Sequence, residues 1–319
     1  MHTIPVGVFG ASGYAGRELC ALINAHPRLQ LVYATANAQR GDTAWLGGRE
    51  VTFVATDDAP LKEAELVFSA LPHGASAAWV AISRDAGLRA IDLSSDLRPG
   101  HTTESVPYGL TEVNREQLRG AQVIANPGCY PTAILLSLLP LLSRNLIKAG
   151  STIVLDAASG VTGAGNAPTP ELLFGEVTEN YRAYAVGNEH RHLPEMRALV
   201  AGYHADVDLL FTPHLLPVAR GILATVTVQL SEEVPDSLSL WREHFAGERY
   251  VEISERLPAL RDVVHRNAVR ISVRRAQGMR VPTLIVMSAI DNLMKGAAGQ
   301  ALQNANISLG LPEAMGLPL

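Results

Sequence analysis

Seven residues near the start of the chain, Gly10-Ala11-Ser12-Gly13-Tyr14-Ala15-Gly16, constrain its fold more than any other stretch. They follow the apolar run Ile4–Phe9 and open a segment, Tyr14–Ala25, in which Leu19, Leu22 and Ile23 share one helical face. A glycine turn between a buried strand and a helix lets the backbone approach a diphosphate. The helix start then offers free N–H groups and a partial positive charge. Further apolar runs at Leu29–Thr35, Leu66–Ala70, Arg89–Leu93 and Val123–Ala125 repeat at the spacing of a parallel sheet with helices on both faces. Past about residue 150 the texture changes. Thr152–Ala157, Leu223–Leu230, Val269–Val273 and Leu284–Ile290 lie closer together with fewer helices between them, which implies a second, α+β domain with a mixed sheet. The last segment, Leu293–Asn306, is rich in small residues and helical in pattern.

Composition fits this plan. At roughly 150 residues per domain, 319 residues make about two domains. With 26 basic against 31 acidic side chains the net charge is −5, which excludes a broad basic face for nucleic acid. No apolar run reaches the ~20 residues of a membrane helix, and Ala133–Leu142 carries Pro140. The opening MHTIPVGVFG shows no positive region, apolar core or cleavage site of a secretory signal. Two cysteines, Cys20 and Cys129, make no disulfide framework and suit a reducing, cytoplasmic setting.

The end of the second strand bears on the cofactor. An NAD site places an acid there for the ribose, whereas NADP needs its absence and a nearby arginine. Tyr33-Ala34-Thr35-Ala36-Asn37-Ala38-Gln39-Arg40 has no acid and one arginine, so NADP(H) is expected, with Arg40 either a phosphate ligand or a solvated loop charge. Cys129 stands in Asn126-Pro127-Gly128-Cys129-Tyr130-Pro131-Thr132, after a strand and before an apolar helix. A helix start favours thiolate over thiol, so this cysteine has the setting of a nucleophile. Cys20, among Leu19, Leu22 and Ile23, reads as a buried small hydrophobe. In His190-Arg191-His192-Leu193-Pro194-Glu195 the two histidines share a face if the segment is extended, and either can serve as acid/base. A zinc site is the rival reading, but no second ligand cluster accompanies them, and no metal is expected. Glycine-rich Ser159–Asn166 is either an anion-binding nest or a mobile loop. Asp96-Leu97-Arg98 offers a guanidinium for a phosphate or carboxylate.

A nicotinamide fold combined with an activated cysteine points to hydride chemistry on a thioester, with phosphate the natural leaving group of the acyl substrate. At this point the sequence closely resembles the N-acetyl-gamma-glutamyl-phosphate reductase family of arginine biosynthesis, relatives of aspartate-semialdehyde dehydrogenase. The resemblance is carried by GASGYAG (Gly10–Gly16), ALPHG (Ala70–Gly74), SSDLR (Ser94–Arg98), YGLTEVNR (Tyr108–Arg115), NPGCYPT (Asn126–Thr132), SGVTGAGN (Ser159–Asn166), HRHLPE (His190–Glu195) and NLMKGAAGQALQN (Asn292–Asn304). Thr162 stands where the family often has serine, and the stretch between Arg98 and Tyr108 is short.

The resemblance implies a Rossmann-type doubly wound sheet in a cofactor domain, residues 1–128 with the last helix of about 293–319. It implies a catalytic, substrate-binding and oligomerisation domain at 129–292. It makes Cys129 the nucleophile and His190 the acid/base, with Arg98, Ser159, Tyr184, His192 and Glu195 around the substrate. The cofactor would meet Gly10, Ser12, Gly13, Tyr14, Ala15, Gly16, Thr35, Arg40, Pro72, His73, Asn292 and Lys295. The partners implied are a small-molecule acyl phosphate, inorganic phosphate and further copies of the chain, as homodimer or homotetramer. An aminoadipyl phosphate one methylene longer is an alternative substrate, and a non-catalytic NADP-binding sensor is an alternative of another class.

Overall fold

In the first sheet, β1 (Ile4–Phe9) is flanked by neighbours that all run parallel to it. The computed structural model describes residues 3–319. From β1 the chain turns through the glycine loop into α1 (Tyr14–Ala25), then β2 (Leu29–Thr35), β3 (Thr43–Leu46), β4 (Arg49–Val54) and β5 (Leu66–Ser69). It continues through α2 (Ser76–Asp85), β6 (Arg89–Asp92), α3 (Thr111–Leu118) and β7 (Val123–Ala125). The strand order is β3-β4-β2-β1-β5-β6-β7. All pairs are parallel except β3–β4. That hairpin was not anticipated from periodicity. Its turn is Gly47-Gly48, both at positive φ, as a two-residue hairpin loop demands.

This unit comprises residues up to Gly128 together with Ala297–Pro318. The return of the chain to it therefore falls at Gly296–Ala297 rather than at about residue 293. The returning helix, Gly299–Ser308, is buried along its whole length despite carrying Gln300, Gln303, Asn304 and Asn306. Its amides are bonded inside the unit, with Gln300 Oε1 the one buried end left without a partner among the described residues. Gln300 and Asn304 both donate to the Gly109 carbonyl, and Asn304 also donates to Asn126 Oδ1. Such pairing is what makes buried amides tolerable.

The second unit, Cys129–Gly296, is built on α4 (Cys129–Leu142), whose residues from Tyr130 onward are all buried. A helix apolar on every side must be surrounded. It packs on the sheet formed by β8 (Ser151–Gly160), β10 (Val207–Leu216), β11 (Ile222–Gln229), β13 (Val269–Arg275) and β14 (Thr283–Ile290), with β9 (Arg182–Ala183) and β12 (Val251–Ile253) at the edges. The order is β12-β13-β14-β11-β8-β10-β9. β8–β10 and β12–β13 are parallel and the rest antiparallel, so the sheet is mixed. Helices α5 (Phe174–Val177), α6 (Leu193–Gly202) and α7 (Ser237–His244) complete the unit. From α7, fully buried Trp241 donates its indole N–H to the Ser137 carbonyl at 3.2 Å, and Ser288 of β14 donates to the Ala133 carbonyl at 3.0 Å. β10 went unread in the sequence because Asp208, Thr212, Pro213 and His214 break its apolar pattern.

The two ends of the glycine loop are fixed by space. Gly10 has φ +70°, and a Cβ there would lie 2.5 Å from the Ala70 carbonyl oxygen. A Cβ on Gly16 would lie 2.3 Å from the Gly10 carbonyl oxygen, whereas one on Gly13 meets its nearest atom at an ordinary 3.6 Å. Gly16→Ala should therefore lower the unfolding free energy by roughly 1–3 kcal/mol, the usual cost of overpacking. Gly13→Ala should stay within about 0.5 kcal/mol of the parent. Urea denaturation of the two variants checks the contrast, and equal losses would show that the loop is not held as described.

Candidate active site

The glycine loop is held from beneath. Thr35 was expected at the cofactor, but its side chain is fully buried. Its hydroxyl accepts the Gly10 N–H at 3.3 Å and bonds the Thr56 hydroxyl, while its carbonyl accepts the Ala11 N–H at 2.7 Å. From there it braces the turn that the cofactor would meet. Ser12, Gly13, Tyr14 and Ala15 stay at least partly exposed around the start of α1. That start has no side-chain cap and no acid in its first turn, so its N–H groups and positive end stay open to an anion. Gly13 has room for a side chain on the protein side, so its bareness serves approach from outside. These features fit a dinucleotide diphosphate. Arg40 is exposed in the loop after β2, compatible with either reading given to it.

The start of α2 differs, because the Asp96 carboxylate accepts the N–H groups of Gly74, Ser76 and Ala77. Pro72 and His73 lie exposed in the turn just before it, and the imidazole Nδ1 accepts the Ser95 N–H at 2.8 Å. Arg98, expected at the substrate, is only 3% exposed. Its Nε donates to the Asn126 carbonyl and its Nη2 to the Leu93 carbonyl, at 2.8 and 2.7 Å. It ties down the segment that leads to Cys129, a framework task. Asn126 has the same task, donating to the Ala297 carbonyl while accepting from Asn304.

In the second unit, a cavity of about 240 Å³ is bordered by Cys129, Tyr130, Ser159, Tyr184, His190 and His192, among others. Cys129 is the first residue of α4 and half-buried, at the positive end of the helix, a position that favours thiolate over thiol. Cys20 differs, because burial pushes its thiol up to about 12. The His190 and His192 rings stand 4.8 Å apart and both border the cavity. They do so from a tight turn ahead of α6, with the Leu193 N–H bonded to the His190 carbonyl, and not from an extended segment.

His190 Nδ1 accepts the His192 backbone N–H at 3.1 Å, so the neutral ring carries its proton on Nε2. Tyr130, Tyr184 and Phe211 pack edge-on against the ring at 5.2–5.7 Å. Burial, reinforced by the Arg191 charge, holds the imidazole down at about 4. Tyr130 and Tyr184 share a hydrogen bond at 3.0 Å. Burial raises both phenols, Tyr184 to about 12, and negative charge on Cys129 opposes their ionisation further.

The remaining expected residues differ in their burial and pairing. Ser159 borders the cavity and donates to the Gly160 carbonyl at 3.0 Å. Glu195 is wholly buried in the first turn of α6 and does not border the cavity. The first part of the glycine-rich segment is tied down: Gly160, Val161 and Thr162 donate to the carbonyls of Gly221, Val218 and Ala219 as β8 passes into a 3₁₀ turn, while residues 164–166 are exposed.

Asn292 was expected at the nicotinamide. Its carbonyl oxygen accepts the Gly221 N–H and its amide donates to Thr162, so both ends of the side chain are engaged. Lys295 is fully buried with its ammonium 5.7 Å from the Tyr250 ring centre. It lies in a π-turn, Met294–Ala298, where a regular helix was expected from residue 293. The wider turn sets Gly296 against the nucleophile: a Cβ there would lie 2.8 Å from Cys129 Cβ. Asp291 anchors it by accepting the N–H groups of Leu293 and Met294 and pairing with Arg220 at 3.3 Å. Reading the sequence missed Tyr130, Asn126, Arg191 and Gly296 as site residues, although each sits inside a segment already singled out. Among the described residues no cluster of three His, Cys, Asp or Glu side chains is placed to hold a metal ion.

Comparison with known proteins agrees with this geometry. Residues 5–121 match the domain model described as semialdehyde dehydrogenase, NAD binding domain, and residues 129–292 match semialdehyde dehydrogenase, dimerisation domain. The class is thus that of the semialdehyde dehydrogenases. Solved structures share the fold. Aspartate semialdehyde dehydrogenase II of Vibrio cholerae aligns with a TM-score of 0.80 at 19% identity over 97% of this chain and 99% of its own. The aspartate semialdehyde dehydrogenase of Candida albicans, solved with NADP, gives 0.70 at 15% identity over 96% and 98%. Within the class, the chain belongs to the N-acetyl-gamma-glutamyl-phosphate reductase family. It is 41% identical to the reductase of Laribacter hongkongensis over 99% of this chain and 98% of that one, and 38% identical to that of Ruthia magnifica subsp. Calyptogena magnifica over 98% of each.

Two outcomes follow from the geometry. By NMR, the His190 ring should titrate near 4 and show no step at its ordinary 6.5. The unfolded chain takes up that proton near 6.5 and the folded one near 4. The stability held by the neutral ring is therefore complete above 6.5 and is lost as pH falls through that window. Gly296→Ala should cost roughly 1–3 kcal/mol of stability and alter the rate at which iodoacetamide captures Cys129. An unchanged rate would mean that the π-turn does not set the sulfur.

Proposed function

We propose that this chain reduces N-acetyl-L-glutamyl 5-phosphate to N-acetyl-L-glutamate 5-semialdehyde and phosphate, with NADPH as the cofactor. The observation that carries this reading is Cys129 at the start of a buried helix, in one cavity with a neutral His190. The Cys129 thiolate attacks the acyl carbon, phosphate leaves with the bonding pair, and a thioester remains. The nicotinamide, when bound, supplies the hydride that reduces this thioester. Gly10, Ser12, Gly13, Tyr14, Ala15 and Gly16 would hold the diphosphate, Arg40 would meet the 2′-phosphate, and Pro72 and His73 would lie beside the cofactor.

His190 acts in its uncharged form. Its Nε2–H hydrogen-bonds the carbonyl oxygen of the acyl group and stabilises the negative charge that develops there. After reduction, collapse of the hemithioacetal oxyanion expels the Cys129 thiolate and releases the aldehyde. An imidazole that charges only near 4 keeps that Nε2–H as a hydrogen-bond donor at neutral pH, and the aromatic rings packed around it shield it. Ser159, Tyr184 and His192 shape the substrate's place.

The first unit serves the cofactor and the second unit serves substrate and self-association. The outward face of the second sheet, with Leu210 and Tyr181 exposed, is the surface through which copies pair into a dimer or tetramer. No helix among the described residues is long and apolar enough to cross a membrane. Two free cysteines suit a reducing cytoplasm.

The test runs the reaction backwards. Purified protein given the semialdehyde should reduce NADP only when inorganic phosphate is supplied. Cys129→Ser should abolish turnover while NADP binding, followed by fluorescence, survives. NADP reduction at the same rate without phosphate would rule out an acyl-phosphate enzyme.

A further inference from the structure

The cavity beside Cys129 is also bordered by two guanidinium groups, those of Arg182 and Arg191, and no Asp or Glu side chain borders it. In a chain whose net charge is −5, that local excess of positive charge needs an explanation. Neither arginine forms an ion pair among the described residues. Arg182, half-buried on the two-residue strand β9, donates one long bond of 3.4 Å to the Glu171 carbonyl out of five available donors. Arg191 is exposed in the turn between the two histidines. Both charges act on Tyr184, which they stabilise as phenolate, while Cys129 acts on the same phenol in the opposite sense. Tyr184 therefore has the sulfur within electrostatic reach as well as both guanidiniums. Through its hydroxyl it also meets Tyr130, the residue after the nucleophile.

We propose that Arg182 and Arg191 form a receptor for a carboxylate that the substrate carries away from its reacting carbonyl, so that the cavity selects acidic acyl groups. This rests on the function proposed above and adds what recognises the far end of the substrate. A planar guanidinium fork matches a carboxylate in shape, and a second one fixes its orientation. The side chains between, Tyr184 and Tyr130, are uncharged and raised in pKa by burial, so they do not compete for the arginines. A neutral substrate would leave two cations facing an empty, partly dry space, which is how such a site rejects it.

The experiment compares N-acetylglutamate semialdehyde with 4-acetamidobutanal, the same aldehyde lacking its carboxylate, in phosphate-dependent NADP reduction. Arg191→Gln and Arg182→Gln should each lower kcat/KM for the acidic aldehyde by roughly ten- to a hundredfold, through KM, as expected for a lost charged hydrogen bond. The loss on the neutral aldehyde should be far smaller, and Arg191→Lys should recover part of the difference. A second readout needs no turnover. N-acetyl-L-glutamate should protect Cys129 of the parent protein from iodoacetamide, and protection should weaken in both glutamine variants. Equal losses on the two aldehydes, or a raised KM for phosphate with aldehyde preference intact, would overturn the assignment. A parent protein that turns over the semialdehyde without phosphate is a failure of another kind, that of the function itself.

Discussion

Everything in the second unit depends on one helix having no polar face. From Tyr130 to Leu142 the chain buries every side chain, at a gain of about 1.5–3 kcal/mol for each large apolar group. A sheet, Trp241 and Ser288 close around it. Its first residue is the cysteine. The sulfur is thereby attached to a helix buried on every side, and a helix start favours its charged form. Pro131 is accepted because it lies in the first turn, and Pro140 lies in the last turn, which Ser143 closes by donating to the Leu139 carbonyl at 2.9 Å.

Around that anchor, charge is controlled by exclusion of water. The histidine expected to move protons is wrapped by Tyr130, Tyr184 and Phe211, and its tautomer is set by a backbone N–H two residues on. The two phenols bond each other. Among the side chains that border the cavity, fixed charge is confined to the two arginines. An imidazole that resists charging can stand beside a thiol nucleophile as a hydrogen-bond donor without forming an ion pair with it.

Much of the fold was legible because its first half obeys local rules. The apolar runs became β1, β2, β5, β6 and β7, and the glycine loop opens α1 at Tyr14. What escaped is instructive. The β3–β4 hairpin is short and only Val51 and Phe53 alternate with polar neighbours, and β10 hides behind Asp208, Pro213 and His214. In the site, Cys129, His190, His192, Tyr184 and Ser159 do converge on one cavity. Thr35, Arg98, Asn292 and Glu195 were expected at the ligands because the family resemblance places them there. Burial and main-chain bonding turn the first three inward, and Glu195 is buried away from the cavity. Sequence alone cannot distinguish a guanidinium that grips a ligand from one that grips a carbonyl. Gly296 was invisible for the opposite reason, since a π-turn leaves no periodic signature and a glycine there reads as a small residue in a helix.

The short pieces that carry the cavity's margin are of a different kind from α4. Arg182 sits on a strand of two residues, Leu172 on a single 3₁₀ turn and Arg191 in the bend ahead of α6. None of the three belongs to the apolar core. Descendants of this chain can therefore exchange them, and drift toward longer or less acidic acyl groups, without disturbing the helix that presents the thiol.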